Sequence, residues 1–208
     1  MDLLYDAAAV WNRLLGCKYD IICGRKGKTY SILLDFEAGE FHHLAGFPHM
    51  RDLVLPVKFS QSKTMYKVLD GVVTEQMIAK SEQYEPIIRR KLEAVVQLEH
   101  LLNSRFQVYL FDQKKSTFYT KIQARYMLVD EQTQVVFLFT DTADGGATYF
   151  ARSTFVMDGR DFRKNQTKLT VLKIARTDLA TGSVDIIYCK EGFSTGESPA
   201  PTEEPVPV

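Results

Sequence analysis

The dominant periodicity of the chain changes near Ser104, and that change limits the class of fold it can enter. Before it, apolar residues recur mostly at helical spacing. Leu3, Leu4, Ala7, Val10, Trp11 and Leu14 share one helical face over residues 2 to 16, and Gly16 ends the run. Residues 60 to 103 read as a helical block. Ser62 to Leu69 stops at Gly71, and Thr74 is placed to cap Glu75 to Ser81. A longer helix carries Pro86 in its first turn and ends near Asn103, with Ile88, Leu92, Val95 and Leu102 as its buried stripe and His100 at the surface or cap. After Ser104 the pattern is that of strands, expected at Arg105–Phe111, Thr117–Ile122, Arg125–Val129, Val135–Thr140, Thr148–Phe155, Leu169–Ile174 and Val184–Cys189. Their connections are short and rich in turn residues, such as Asp144-Gly145-Gly146 and Thr181-Gly182, so neighbouring strands should pair antiparallel as a meander.

Two β-rich stretches interrupt the helical half. Lys18–Cys23 and Thr29–Phe36 flank Gly24-Arg25-Lys26-Gly27-Lys28, which predicts a hairpin, and a short helical stretch follows from Phe41 to about Leu53. The sum is an α+β fold: an N-terminal helix and β-hairpin, a helical block, then an antiparallel β-meander. Residues 1–193 are expected to form one domain with a helical insertion at about 60–103. Residues 194–208, with Pro199, Pro201, Pro205, Pro207, Glu197, Glu203 and Glu204, read as a flexible tail.

Thirteen Phe and ten Tyr allow a substantial core without covalent staples. Lys+Arg and Asp+Glu balance at 26 each, so global charge announces no polyanionic partner. The distribution is less even: Arg152 to Arg176 holds seven cations and two acids. This stretch is either a phosphate-binding face or a solvated sheet edge. Cys17, Cys23 and Cys189 form no Cys-x-x-Cys pair, which argues against zinc ribbons and dithiol redox motifs. The N-terminus lacks the basic start of a signal peptide, and no apolar run reaches the roughly 20 residues that span a bilayer. A cytoplasmic protein with no membrane partner is expected.

Phe41-His42-His43-Leu44-Ala45-Gly46-Phe47-Pro48-His49 holds three of the four histidines. Histidine exchanges a proton near neutral pH, so His43 is the first candidate catalytic residue, with His42 a candidate substrate contact. A helix starting near His42 would offer free N–H groups to an anion. Gly46 allows close approach of a ligand or tight packing. Metal binding fits less well: no cysteine is near, and His43 and His49 are six apart, not the three or four that align ligands on a helix. No metal or other cofactor is expected.

A second constellation is Tyr149-Phe150-Ala151-Arg152-Ser153-Thr154-Phe155. On a regular strand Phe150, Arg152 and Thr154 share one face, and Tyr149, Ser153 and Phe155 the other. An arginine among hydroxyls suits a phosphate, and an exposed ion pair is the alternative. Such parts can cleave RNA without a metal. His43 would act as base or acid, Arg152 would hold the phosphate, and Ser153 or Thr154 would orient it. The second proton carrier stays open between Tyr149, Lys121 and Lys173.

The Phe41–Phe47 segment, with Arg51-Asp52-Leu53 after it, resembles the F-x-H-L-A-G-L … D signature of the fourth group of phage-associated nuclease-like domains related to barnase, EndoU, colicins and RelE. The hairpin at 19 to 28 resembles the segment that precedes this signature, and Tyr149–Phe155 resembles a later R-S-F-F strand, with Thr154 at the first Phe position. The resemblance spans most of residues 15 to 190. It implies a curved antiparallel sheet, metal-independent ribonuclease (toxin-like) activity, and a prophage or mobile-element setting. By position it singles out His43, Arg152 and Ser153. RNA is the expected partner, with an antitoxin or immunity protein possible. The rival reading is a non-catalytic protein- or RNA-binding module of a mobile element.

Overall fold

The computed structural model describes residues 2–55, 61–132, 134–143, 146 and 148–193, so the expected tail lies outside the described residues. The first helix, α1 (Leu3–Leu14), buries Leu4, Ala7, Ala8, Trp11 and Leu14. Asp2 starts it: one carboxylate oxygen accepts the Tyr5 N–H at 2.9 Å, and the other accepts the Glu75 N–H at 3.2 Å. Glu75 returns the bond, accepting the Leu3 N–H at 2.5 Å. Two helix starts far apart in sequence thus satisfy each other's free amides. This bond replaces the cap expected of Thr74, whose hydroxyl makes no capping contact.

The hairpin of β1 (Cys17–Arg25) and β2 (Lys28–Leu34) turns on Lys26 and Gly27 alone, tighter than the five-residue turn read from sequence. Both residues have positive φ, 49° and 79°, as a type I′ turn requires. Trp11 anchors α1 to the segment that follows, donating from its indole to the Glu37 carbonyl at 3.0 Å and meeting Phe36 edge-on at 5.4 Å.

The helical block contains α3 (Gln61–Leu69), α4 (Glu75–Ile78) and α5 (Arg89–Leu102). A π-helical turn, Tyr84–Ile88, leads into α5. It contains Pro86, which cannot donate a backbone hydrogen bond, and the Ile88 N–H reaches back to the Gln83 carbonyl at 3.1 Å. α3 packs on α1, and α5 packs on α1 and on the sheet.

Five more strands, β3 (Gln107–Leu110), β4 (Tyr126–Asp130), β5 (Val136–Asp141), β6 (Thr148–Val156) and β7 (Thr167–Asp178), precede the edge strand β8 (Val184–Cys189). The meander holds for β3 to β6 and again for β7–β8. It does not hold between β6 and β7. β7 is long enough to serve three partners: β1 along one edge, and β3 then β8 along the other. β6 closes instead onto β2, in parallel, through Leu33↔Thr148 and Leu34↔Tyr149. The sheet is therefore mixed and barrel-like, running β1-β2-β6-β5-β4-β3-β7 and back to β1.

The strand expected at Thr117–Ile122 is an irregular loop. Phe118 and Ile122 in it pack onto Phe111, Phe137, Phe139 and Phe162, a second core separate from the larger one beneath the helices. Apolar residues raise strand propensity because they fit a half-buried surface, and here a loop supplies that burial. Its polar groups are met locally: the Gln113 amide donates to the Thr120 carbonyl, and Gln166 brackets Asp112, accepting its N–H at 2.7 Å and donating to its carbonyl at 3.0 Å.

Candidate active site

The histidines sit on α2 (Glu40–Leu44), a short helix whose Phe41 and Leu44 point into the core. It begins at Glu40, so His42 and His43 occupy its last turn. The anion site expected at a helix start near His42 is absent for that reason: carbonyls, not free amides, point outward there, an end that favours cations. His42 is held in place. Its Nδ1 lies 3.0 Å from the Thr64 hydroxyl and its ring stacks on Phe47 at 5.4 Å. Burial, with the His43 charge beside it, lowers its pKa. His43 is exposed.

With Phe41 and Leu44 turned inward, Glu40 and His43 remain as neighbours three apart on one side of the helix. Glu40 is the functional candidate that sequence reasoning missed. Its carboxylate accepts the Glu37 N–H at 3.4 Å and lies near the backbone N–H of Ala151 on β6. Burial pushes its pKa up to about 8, and the nearby charges of Glu37 and Asp35 add to this. The available signal was the i, i+3 spacing to His43; its burial depends on β6.

β6 is not regular. Phe139 faces Ser153, but Thr140 faces Ala151, so Arg152 is an extra residue opposite no partner on β5. This bulge changes the alternation of faces. Tyr149, Ala151, Thr154 and Val156 are buried, with Tyr149, Ala151 and Val156 in the core beneath the helices, while Phe155 packs into the aromatic core on the other side. The face assignment expected of an unbroken strand is corrected accordingly. Arg152 is exposed and has no ion pair among the described residues. Ser153 is half-buried. Thr154 is fully buried and donates to the Phe137 carbonyl at 2.9 Å, which gives it a structural bond and no path to a substrate. Tyr149 is buried too; it meets Tyr126 edge-on at 5.2 Å and accepts a bond from Arg125 at 3.3 Å.

α2 packs on β6. The elements that carry His43 and Arg152 therefore meet, with Glu40 near the Ala151 amide, one residue from the bulge. Two other sequence candidates lie elsewhere. Lys121 is on the loop over the aromatic core, the side of the sheet away from the helices. Lys173 is on β7, opposite Ile22 and Cys189.

The loop after α2 turns at Gly46, where φ is +82°. A Cβ there would lie 3.2 Å from Lys91 Cδ and 3.4 Å from Ile88 Cγ1, so this glycine serves the turn and the packing of α5. Burial lowers the Lys91 ammonium to about 8. Burial also lowers the pKa of His49, helped by the charges of Lys91 and Arg51. Asp52, at the acidic position of the signature, accepts bonds from the Ser81 hydroxyl and the Glu82 N–H, both at 2.8 Å, and so ties this loop to the turn before α5. Among the described residues, no group of three or more His, Cys, Asp or Glu is arranged to hold a metal ion, and no helix is long and apolar enough to cross a membrane.

No protein of curated function and no solved structure is matched. A family model covers residues 3–191, which takes in α1, the α2 segment, the bulged strand and every other strand of the sheet. The chain belongs to the family described as phage-Barnase-EndoU-ColicinE5/D-RelE like nuclease4.

Proposed function

We propose that this member of a nuclease family is an endoribonuclease that needs no metal. The observation that carries the reading is Glu40: a half-buried carboxyl, its pKa raised to about 8, near the amide beside Arg152 and on the same side of α2 as His43. His43 takes the proton of a ribose 2′-hydroxyl. The resulting oxygen attacks the adjacent phosphorus, forming a 2′,3′-cyclic phosphate. Glu40 gives its proton to the departing 5′-oxygen, and Arg152 binds the non-bridging oxygens as charge builds on them. Ser153 and His42 border this centre and orient the substrate. Tyr149 acts indirectly, through Arg125 and Tyr126. Thr154, Lys121 and Lys173 take no part.

Membership of a phage-associated family supports an effector or toxin role in the cytoplasm of a bacterial host, restrained by an immunity protein or antitoxin. The test of the chemistry is an oligoribonucleotide with a single 2′-deoxy substitution. Cleavage should vanish at the substituted nucleotide and continue elsewhere, leaving 2′,3′-cyclic phosphate and 5′-hydroxyl ends. Cleavage on the 3′ side of the deoxy position would refute attack by the 2′-oxygen.

A further inference from the structure

One edge of β7 changes partner part-way along. β3 pairs with it up to Val108↔Leu169, and β8 joins at Lys173↔Cys189. Between these registers, Thr170 to Leu172 face no strand on that edge, although the Lys190 N–H reaches the Leu172 carbonyl at 2.8 Å. The gap opens as a cleft of about 570 Å³ lined by Arg105, Gln107, Lys168, Thr170, Tyr188 and Lys190 among others, with no acidic residue in its walls. Arg105, Lys168 and Lys190 are exposed, and none has an ion pair among the described residues. Glu131, near the rim, is engaged by Gln107 and Arg163. The Arg105 guanidinium lies 4.7 Å over the Tyr188 ring, and the Lys168 ammonium lies 5.8 Å from the centre of Tyr109.

Of the six other cations in the basic stretch, three are engaged within the protein. Arg160 pairs with Asp158, Arg163 with Asp161, and Arg176 donates to Cys17 Sγ at 3.2 Å. Arg105, Lys168 and Lys190, with no acidic residue in the cleft walls, are an uncompensated group. An aromatic ring and a guanidinium plane beside unpaired cations suit a flexible polyanion whose bases can stack, the combination used to hold single-stranded nucleic acid. The cleft is not part of the centre on α2 and β6. Around the sheet, β5 and β4 separate β6 from β3, and β2 and β1 separate it from β7.

We propose that this cleft is a second binding site for single-stranded RNA, holding a stretch of substrate away from the scissile phosphate. The proposal rests on the ribonuclease reading for its ligand. It predicts that affinity and cleavage can be separated by mutation.

The experiment is fluorescence anisotropy with a labelled 2′-O-methyl oligouridylate, which cannot be cleaved through its 2′-oxygen. The ligand is titrated with wild type, Lys168→Glu/Lys190→Glu, Lys168→Gln/Lys190→Gln, Tyr188→Ala and Tyr188→Phe, all checked for an unchanged thermal midpoint. Both double variants should bind at least about tenfold more weakly, and the slope of log affinity against log salt should shrink by about 1.4, as expected for two lost phosphate contacts on a single strand. Tyr188→Ala should weaken binding and Tyr188→Phe should not. Folded double variants that bind as wild type does would overturn the cleft, as would no binding by wild type at low salt. The ribonuclease reading stands or falls separately, on cleavage of ordinary RNA. Binding lost in the double variants while wild type cleaves nothing would keep the cleft and sink the nuclease.

Discussion

Glu40→Gln should cut the rate of RNA cleavage by roughly 10²–10⁴-fold while making the protein more stable at pH 8. Glutamine keeps the shape and a carbonyl oxygen, but it has no acidic proton to give. If the protonated carboxyl is the acid, wild-type activity must fall as pH rises through about 8, where Glu40 ionises, and the residual activity of the variant must lack that descending limb. The stability effect has the opposite sense. Glu40 has an ordinary value of 4.5 and a folded value of about 8. The stability linked to it is therefore fully present below about 4.5, declines between 4.5 and 8 as the unfolded chain gives up a proton that the native state keeps, and is gone above that. Removing the carboxyl removes the decline. The gain at pH 8 should be on the order of 2 kcal/mol, discounted because water reaches part of this group. A pH–rate profile and urea unfolding at pH 5 and 8 measure both. Unaltered cleavage by Glu40→Gln, or a descending limb that survives the substitution, would remove Glu40 from the chemistry.

Phe162→Ala should lower stability by roughly 3–5 kcal/mol, a drop of about 6–20 °C in thermal midpoint. Phe162 is almost completely buried and has ring contacts with five other phenylalanines, among them Phe118 at 4.7 Å edge-on and Phe155 at 5.1 Å. Truncating it leaves a cavity where the 111–125 loop is fastened to the back of the sheet. That core faces away from α2, so the folded variant should still cleave RNA at 20 °C near the wild-type rate. Calorimetry and a cleavage assay at that temperature check the two halves. A midpoint within 2 °C of wild type would mean that these rings do not hold the loop.

The features legible in the sequence are those set by neighbours along the chain. Apolar spacing marked α1 and its buried face, and Lys26-Gly27 lay inside the expected turn because a two-residue hairpin demands residues that accept positive φ. The features that were not legible depend on partners distant in sequence. Nothing in Tyr149–Phe155 reveals a bulge, since Arg152 is an extra residue only relative to Phe139 and Thr140 on β5. The parallel contact of β2 with β6 and the triple pairing of β7 arise from closing the sheet, which turn chemistry between adjacent strands does not encode. The loop carrying Phe118 and Ile122 has the composition of a strand because it is buried like one. At the site, the histidine cluster was visible, whereas Glu40 looked like an ordinary charged residue before a helix. Its raised pKa comes from burial in the fold, with the charges of Glu37 and Asp35 adding to it. Thr154 illustrates the converse: a hydroxyl next to a candidate arginine is spent on the Phe137 carbonyl.

The most direct test of the account is cleavage of total and transfer RNA by the purified protein in the presence of EDTA, with His43→Ala and Arg152→Ala run alongside. The account predicts EDTA-resistant cleavage by wild type, reduced by at least about 10²-fold in each variant at unchanged thermal midpoint. Cleavage that survives in both variants, or none by folded wild type over a broad panel of RNAs, would contradict it.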